Sequence, residues 1–568
     1  MKKTAKSLRM HDVAIFSIMA VLAGCGLIYE YLLSHYAGRV LGAIETVIFS
    51  MIGVMIVSMG LGAFAARYIK CAFTGFAWLE VGIALLGSSS VFIIAAIFAF
   101  SHTLPQIIAQ TFGLPPDLVP QGGVIKSLLE FVKIVPYIFG FILGAMIGAE
   151  IPLIARVRER VYGEHLEHNL GDIYGVDYVG AGVGAALWVI FMLAMEPSLA
   201  AALTATANIA VGLLFYFLFH QRIKWKELLL LSHIVVASVI VTLGMNGAQW
   251  SAIMEDTLYK DKIAYRINTE YQRVVITERL MDPTRPTVIT LYINGRTQFS
   301  SNDEHIYHAM LTYPALAASA RHDSVLIIGG GDGLALRDVL RWQPKQVTLI
   351  DLDKTIVDFF TQAAAGEGSD INSRLVALNQ NSFSDPRVTL HFGDAYIKVD
   401  ELLQTVQRFD TIIIDLPDPN HPDLNKLYSA RFYAKLKHLL AGDGAIAIQS
   451  TSPYHAKDAF LSIGVTLQHA GFAHVEQYHH NVPSFGEWGW TIATQQGRSP
   501  RQRLAALETL PLDDGWTTKG KLLATFEFGQ HFFKNRDAIQ INRLGSGVAY
   551  QYYRKNWEIE QGVYQPEP

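Results

Sequence analysis

Seven apolar runs dominate the first 250 residues, and they decide most of what this chain can fold into. They cover roughly 13–34, 43–63, 78–100, 134–155, 175–195, 197–219 and 228–246. A bilayer core of ~30 Å is crossed by ~20 apolar residues in a helix, so each run is expected to span a membrane. The first follows Lys2, Lys3, Lys6 and Arg9. It exceeds the ~7–15 residues of a signal-peptide core, and further runs follow, so it reads as a first span rather than a cleaved leader. Only Glu196-Pro197 separates the fifth run from the sixth, which predicts a tight hairpin there. The stretch Leu104–Lys133, with Pro105, Pro115, Pro116 and Pro120, is less apolar and reads as a loop with a short amphipathic piece.

Charge follows the same division. Residues 1–250 carry 15 Lys+Arg and 14 Asp+Glu, against 31 and 36 in residues 251–568. The second part therefore reads as soluble. The net charge of −4 offers no basic footprint for nucleic acid. Cys25 and Cys71, the two cysteines, both lie in the apolar half, which excludes a disulfide scaffold and a cysteine-based zinc site. The expected domains are 1–250, multi-pass and helical; 251–322, a β cap; 323–497, an α/β sheet domain; and 498–568, a C-terminal extension that reads as a lid or tail. Five acids, Glu30, Glu45, Glu80, Glu150 and Asp177, fall in or at the ends of spans. The expected reading is an interfacial position or a pair with Arg39 or Arg67; the sharper one is a cation site for a polyamine.

In the soluble half, short aliphatic runs end in Gly or Asp. They are 325–328 before Gly329-Gly330-Gly331-Asp332-Gly333, 346–350 before Asp351, 388–392 before Gly393-Asp394, 411–414 before Asp415, and 445–448 before Gln449. Continuous apolar runs alternating with helices predict buried parallel strands in a doubly wound sheet, with its ligand at their C-terminal ends. Asp351 follows Gly329 by 22 positions, near the ~20 expected for an acid on ribose hydroxyls. Before the sheet, 273–277 and 287–293 with a turn at Asn294-Gly295 predict a β-hairpin region. A glycine turn that carries Asp332 repels a ligand carboxylate and attracts an amine. With Asp351, Asp394, Asp415 and Asp418 it predicts a nucleoside pocket rimmed by acids and a cationic substrate.

These residues, with Tyr271-Gln272, Asp303 to Met310, Leu427-Tyr428-Ser429 and Pro483-Ser484-Phe485, resemble the polyamine aminopropyltransferase (spermidine synthase) family, in its form fused to membrane helices. The resemblance covers roughly 260–495. It implies a Rossmann-like, methyltransferase-type sheet with a small N-terminal β cap. It implies aminopropyl transfer from decarboxylated S-adenosylmethionine, a co-substrate rather than a cofactor, to putrescine, giving spermidine and 5′-methylthioadenosine. It further implies Gln272, Asp351, Asp394, Ala395 and Pro422 on the donor, His308, Asp332 and Asp418 on the polyamine, and Asp415 as proton acceptor, with no metal. Soluble relatives form dimers or tetramers. Leu416-Pro417 replaces the family's usual hydroxyl pair, and Phe485 stands where tyrosine is common.

From the residues alone, His308 also reads as a satisfied helix histidine and Gln272 as a solvated hairpin residue. His479-His480 reads as exposed surface. A methyltransferase on the same fold, and a transporter or sensor with a binding-only domain, are the other functional readings. The basic residues near 67–70, 156–160 and 222–226 fall in alternate loops. With seven spans they put the soluble half outside, whereas a cytosolic donor requires it in the cytoplasm of an inner-membrane protein. The second is the expectation adopted, with one span re-entrant or an eighth hidden in 104–133.

Overall fold

The computed structural model describes residues 5–41, 44–112, 123–163, 167–193, 195–257, 259–361 and 368–560. The chain divides into two compact units, Met1–Lys262 and Ile263–Pro568.

The first unit consists of α1 (Ala5–Leu41), α2 (Ile44–Ala65), α3 (Ala72–Thr111), α4 (Val124–Tyr162), α5 (Asn169–Leu187), α6 (Pro197–Phe219) and α7 (Lys226–Asp256). Among the described residues, seven helical segments are long and apolar enough to cross a membrane. Phe49, Val57, Phe64 and Phe217 stand exposed on the bundle's outer face, as side chains do where lipid is the neighbour. Small residues let the helices meet backbone to backbone. A Cβ on Gly62 of α2 would lie 1.8 Å from the Ala145 carbonyl oxygen of α4.

The loop expected over 104–133 is instead largely helical. α3 runs through Pro105 to Thr111 and α4 begins at Val124; residues 113–122, with the other three prolines, lie outside the described ones. One proline removes a single helix hydrogen bond, and long apolar flanks sustain the helix around it. No eighth span is present among the described residues. Glu196 caps α6 by accepting the Leu199 N–H at 2.9 Å, with Pro197 in the first turn. Among the described residues Arg67 bonds Tyr68 and forms no ion pair with Glu30, Glu80, Glu150 or Asp177. The side chains of Arg39 and Glu45 lie outside the described ones. α7 continues to Asp256, so residues 251–256 extend that helix instead of opening the β cap.

The second unit opens with β1 (Lys262–Asn268), β2 (Arg273–Arg279), β3 (Val288–Ile293) and β4 (Arg296–Ser300), a four-stranded sheet in that order. Asn294 and Gly295, at φ 50° and 79°, make the two-residue turn between β3 and β4 that such a dipeptide favours. After α8 (Glu304–Ala318) come β5 (Ser324–Gly329), α9 (Leu334–Leu340), β6 (Gln346–Asp351), α10 (Lys354–Thr361), α11 (Ser369–Leu378), β7 (Val388–Phe392), α12 (Ala395–Leu403), β8 (Phe409–Asp415), α13 (Ala430–Leu439), β9 (Leu440–Gln449), α14 (Lys457–His469), β10 (His474–Val482) and β11 (Gly486–Thr494). The seven strands order as β10-β11-β9-β8-β5-β6-β7, the last five parallel and the first two antiparallel. This is a doubly wound, Rossmann-like sheet of the methyltransferase type. Its central strands alternate between two cores: Val325, Ile327, Val347, Leu349 and Ile413 face one, Leu326, Ile328, Ile350, Ile412 and Ile414 the other.

Beyond the sheet, α15 (Pro500–Ala506), α16 (Lys519–Ala524) and α17 (Val548–Glu560) pack onto this unit. As far as Glu560 the stretch after 498 belongs to this compact unit. His479 and His480 are half-buried, not exposed. His479 bonds the Glu487 carboxylate and the Glu527 carbonyl, and His480 sits edge-on to Trp516 at 5.6 Å.

Candidate active site

The site begins where β5 stops. Gly329 has φ 83°, and a Cβ there would meet the Asp415 carbonyl oxygen at 2.0 Å. Only glycine allows β5 and β8 to approach so closely at this point. The turn then carries Asp332, whose Oδ1 accepts the Leu334 N–H at 2.9 Å. The neighbours of β5 are β6 and β8, and each ends in an acid. Asp351 closes β6, with Oδ2 only 2.8 Å from where a Cβ on Gly331 would stand. Asp415 closes β8, with Oδ2 3.4 Å from the same position on Gly330. Strand order therefore brackets the glycine turn between two carboxylates.

Burial raises all three acids above the ordinary carboxylate range. Asp351 is pushed to about 7, with the Asp353 amide easing it. Asp332 is raised by burial and eased by the charge of His308. For Asp415, burial is the main cause of a rise to about 6; His308 and the Tyr307 hydroxyl counter it, and Asp332 adds to it. Tyr307 donates to Asp415 Oδ1 at 2.8 Å. Its ring lies 5.8 Å from both Phe485 and Trp490.

Behind the turn runs a buried ionic ladder. Arg337 on α9 donates Nη1 and Nη2 to the two oxygens of Glu304 at 2.8 and 3.0 Å. Glu304 Oε2 in turn accepts from His308 Nδ1, one helical turn along α8, at 2.9 Å. Burial alone would lower His308, but the bond to Glu304 outweighs it and holds the imidazole at about 9. At neutral pH it is a cation beside Asp332 and Asp415. His308 thus combines both expectations: its Nδ1 is satisfied within the helix, and its charge acts on the acids of the site.

The other predicted residues flank this cluster. Gln272 is tied down rather than solvated, donating to Asp353 Oδ2 at 3.2 Å just beyond β6. Asp394 caps α12, accepting the Tyr396 N–H at 2.9 Å, and pairs with Lys426 at 2.5 Å. It is therefore a neutralised member of the acidic rim. Ala395 is buried beside it, and Pro422 opens the 3₁₀ turn Pro422–Tyr428 that carries Lys426. Asp418 accepts from Gln449 Nε2 at 2.9 Å and from the Tyr553 hydroxyl of α17. Tyr553 in turn takes a hydrogen bond from Arg296 at 2.6 Å. Burial raises Asp418, and these donors oppose it. Glu304, Arg337, Lys426, Gln449 and Tyr553 were not expected. Arg337, Lys426 and Tyr553 come from remote parts of the chain, whereas Glu304 stands one helical turn before His308 and Gln449 ends a strand, positions that the sequence shows without showing their partners.

Such an edge can hold a nucleoside, hold a cation and accept a proton. Residues 304–504 match the spermine/spermidine synthase domain. Over 552 residues, 97% of this chain and 96% of the relative, the sequence is 55% identical to a polyamine aminopropyltransferase of Shewanella oneidensis. The chain belongs to the polyamine aminopropyltransferase family. A polyamine aminopropyltransferase of Oceanobacillus iheyensis is 30% identical over 566 residues, 97% of this chain and 99% of that one. Both matches are long enough to take in the helical unit, so these aminopropyltransferases share the two-part organisation. A crystal structure of spermidine synthase in complex with the transition-state analogue AdoDATO is 22% identical, with a TM-score of 0.42 over 49% of this chain and 88% of that one.

Proposed function

We propose that this aminopropyltransferase moves the aminopropyl group of decarboxylated S-adenosylmethionine to putrescine, yielding spermidine and 5′-methylthioadenosine. The observation that carries the choice of donor is Asp332, a carboxylate inside the glycine turn and flanked by Asp351 and Asp415. An intact donor would bring its own carboxylate against these acids, whereas the decarboxylated one brings an ammonium. In this reading Asp351 takes the ribose hydroxyls, and Gln272, Asp394, Ala395 and Pro422 surround the nucleoside. Asp418 holds the far ammonium of the diamine.

The reaction is one displacement. The amine nitrogen forms a bond to the carbon beside the sulfonium as the C–S bond breaks, and the thioether leaves neutral. Only a neutral amine attacks, so a base must take its proton. Asp415, held near 6, is ionised at neutral pH and still basic enough to accept it. Tyr307 occupies Oδ1, which leaves Oδ2 toward the glycine turn for the amine.

The test is methylthioadenosine release by the full chain with a panel of amines. Putrescine should be the best acceptor, and intact S-adenosylmethionine should be turned over with none. Asp332→Asn should weaken that discrimination by roughly tenfold or more, the effect of one charge contact at a partly desolvated site. Unchanged discrimination would remove Asp332 from donor selection. His308→Gln removes the cation that lowers Asp415, so the acid limb of the kcat/KM profile should move to higher pH. A limb that stays in place would show that His308 does not tune the base.

We assign the catalytic unit to the cytoplasmic side of the inner membrane, where the donor is made. Seven crossings then put the basic N-terminus outside, against the charge of its loops. A reporter fused after Pro568 tests this, and activity only of a periplasmic reporter would reverse it.

A further inference from the structure

The helical unit buries a set of polar groups that the transfer reaction does not use. Glu80 on α3, Glu150 on α4, Tyr29 on α1, Asn208 on α6 and His233 on α7 are each at most 2% exposed. They are neighbours. Asn208 Nδ2 donates to Glu80 Oε2 at 2.6 Å. A Cβ on Gly212 would stand 3.2 Å from His233 Nε2 and 3.3 Å from Glu80 Cβ. Tyr29 reaches α3 one helical stretch beyond Glu80, its hydroxyl 2.8 Å from where a Cβ on Gly87 would stand, and Glu150 is buried on the neighbouring α4.

Each has an atom without a hydrogen-bond partner among the described residues: Glu80 Oε1, Glu150 Oε2, Asn208 Oδ1, His233 Nε2 and the Tyr29 hydroxyl. Buried polar atoms are almost always bonded, so five orphans in one place mark a site built for something else. Their character says what. The His233 Nδ1 proton goes to the Leu229 carbonyl, and Nε2 faces the Gly212 backbone. Asn208 Oδ1 is an acceptor, the ionised glutamate oxygens are acceptors, and the Tyr29 hydroxyl can both accept and donate. The ion pairs of the described helices lie elsewhere, between Arg158 and Asp12 and Asp172. Two buried carboxylates thus face several acceptors with no counter-charge from the described residues. The ligand that completes such a set is a cation rich in N–H donors. No three His, Cys, Asp or Glu side chains converge as a metal ion would require among the described residues.

We infer that the helical unit holds a second amine site, in which Glu80 and Glu150 bind the ammonium groups of a polyamine. The choice of an amine over another monovalent cation rests on the family's own chemistry, and the site is separate from the one at the sheet edge. Equilibrium dialysis of the detergent-solubilised full chain against radiolabelled spermidine tests it. Two spermidines per chain are expected. Glu80→Gln/Glu150→Gln should lose one, and Asp415→Asn/Asp418→Asn should lose the other. If the sheet-edge variant keeps both while the helical variant loses one, the reading of the sheet edge fails and the second site stands. If the helical variant keeps both, or the unmodified chain binds only one spermidine and loses it with Asp415 and Asp418, the second site is refuted. Protection of the helical unit by Na⁺ or by acid, with no spermidine bound there, also refutes it. Melting temperature reports whether the double variant folds. Should it not, Gly212→Ala keeps every charge and places a methyl against His233 and Glu80. It should weaken spermidine binding at one site at least tenfold, and unchanged binding there would overturn the proposal.

Discussion

Asp415→Asn should lower kcat for methylthioadenosine release by about 10²–10⁴-fold, the usual worth of a positioned general base, while leaving KM for the donor nearly unchanged. The asparagine fits the same space and can still take the Tyr307 hydrogen bond on its Oδ1. It cannot accept the proton. The pH profile gives a second readout. With Asp415 held near 6 by burial, the profile of the unmodified enzyme should break as pH drops through about 6, and the residual activity of the variant should change with the neutral amine alone and show no break there. Raising pH deprotonates more of the free amine, so the variant should recover part of its loss at high pH as the amine arrives already neutral. An asparagine variant with normal turnover at pH 7 would show that solvent or another acid takes the proton, and Asp351, at about 7, would be the next to test.

What was legible in the sequence followed the physics of each segment. The strands from Ser324 to Gln449 were legible because a strand buried on both faces must be apolar throughout, and because the acids and glycines that end it sit where the apolar core stops. The glycine turn was legible because close approach of β5 to β8 demands the absence of a Cβ. Side-chain partnerships were not. Tyr307 meets Asp415 across 108 positions and Lys426 meets Asp394 across 32. Tyr553 comes to Asp418 from a segment whose composition says nothing about its destination. Pro105 misled in the opposite direction, since local propensity argued for a loop where apolar packing sustained a helix. Among the intramembrane acids, composition showed the cost of burying charge but not its remedy. Only the fold reveals that Glu80 meets the Asn208 amide rather than Arg67.

Glu304→Gln carries the largest expected effect on stability. Glu304 is 4% exposed and Arg337 5%. The guanidinium donates four hydrogen bonds, to Glu304, Asp338 Oδ1 and the Leu378 carbonyl. Glu304→Gln leaves Arg337 with Asp338 alone and His308 with no carboxylate on Nδ1, and breaking such a buried ionic cluster costs about 3–5 kcal/mol. The denaturant midpoint of the soluble unit's transition should fall accordingly. Glu304→Leu/Arg337→Met should not recover it in full, because buried Asp338 then keeps only Arg341 and His308 still lacks Glu304. The acid dependence has a defined sign. Burial would raise the Glu304 carboxyl, but His308 and Arg337 outweigh it and hold it at about 2. Its contribution is therefore complete above the unfolded value of about 4.3 and is lost as pH falls toward 2. The stability gap between the unmodified chain and Glu304→Gln should be widest at neutral pH and close over that acid window. A gap below about 1 kcal/mol at pH 7 would mean that water or a shifted side chain replaces the carboxylate, and the ladder behind the glycine turn would then not be what holds His308 charged.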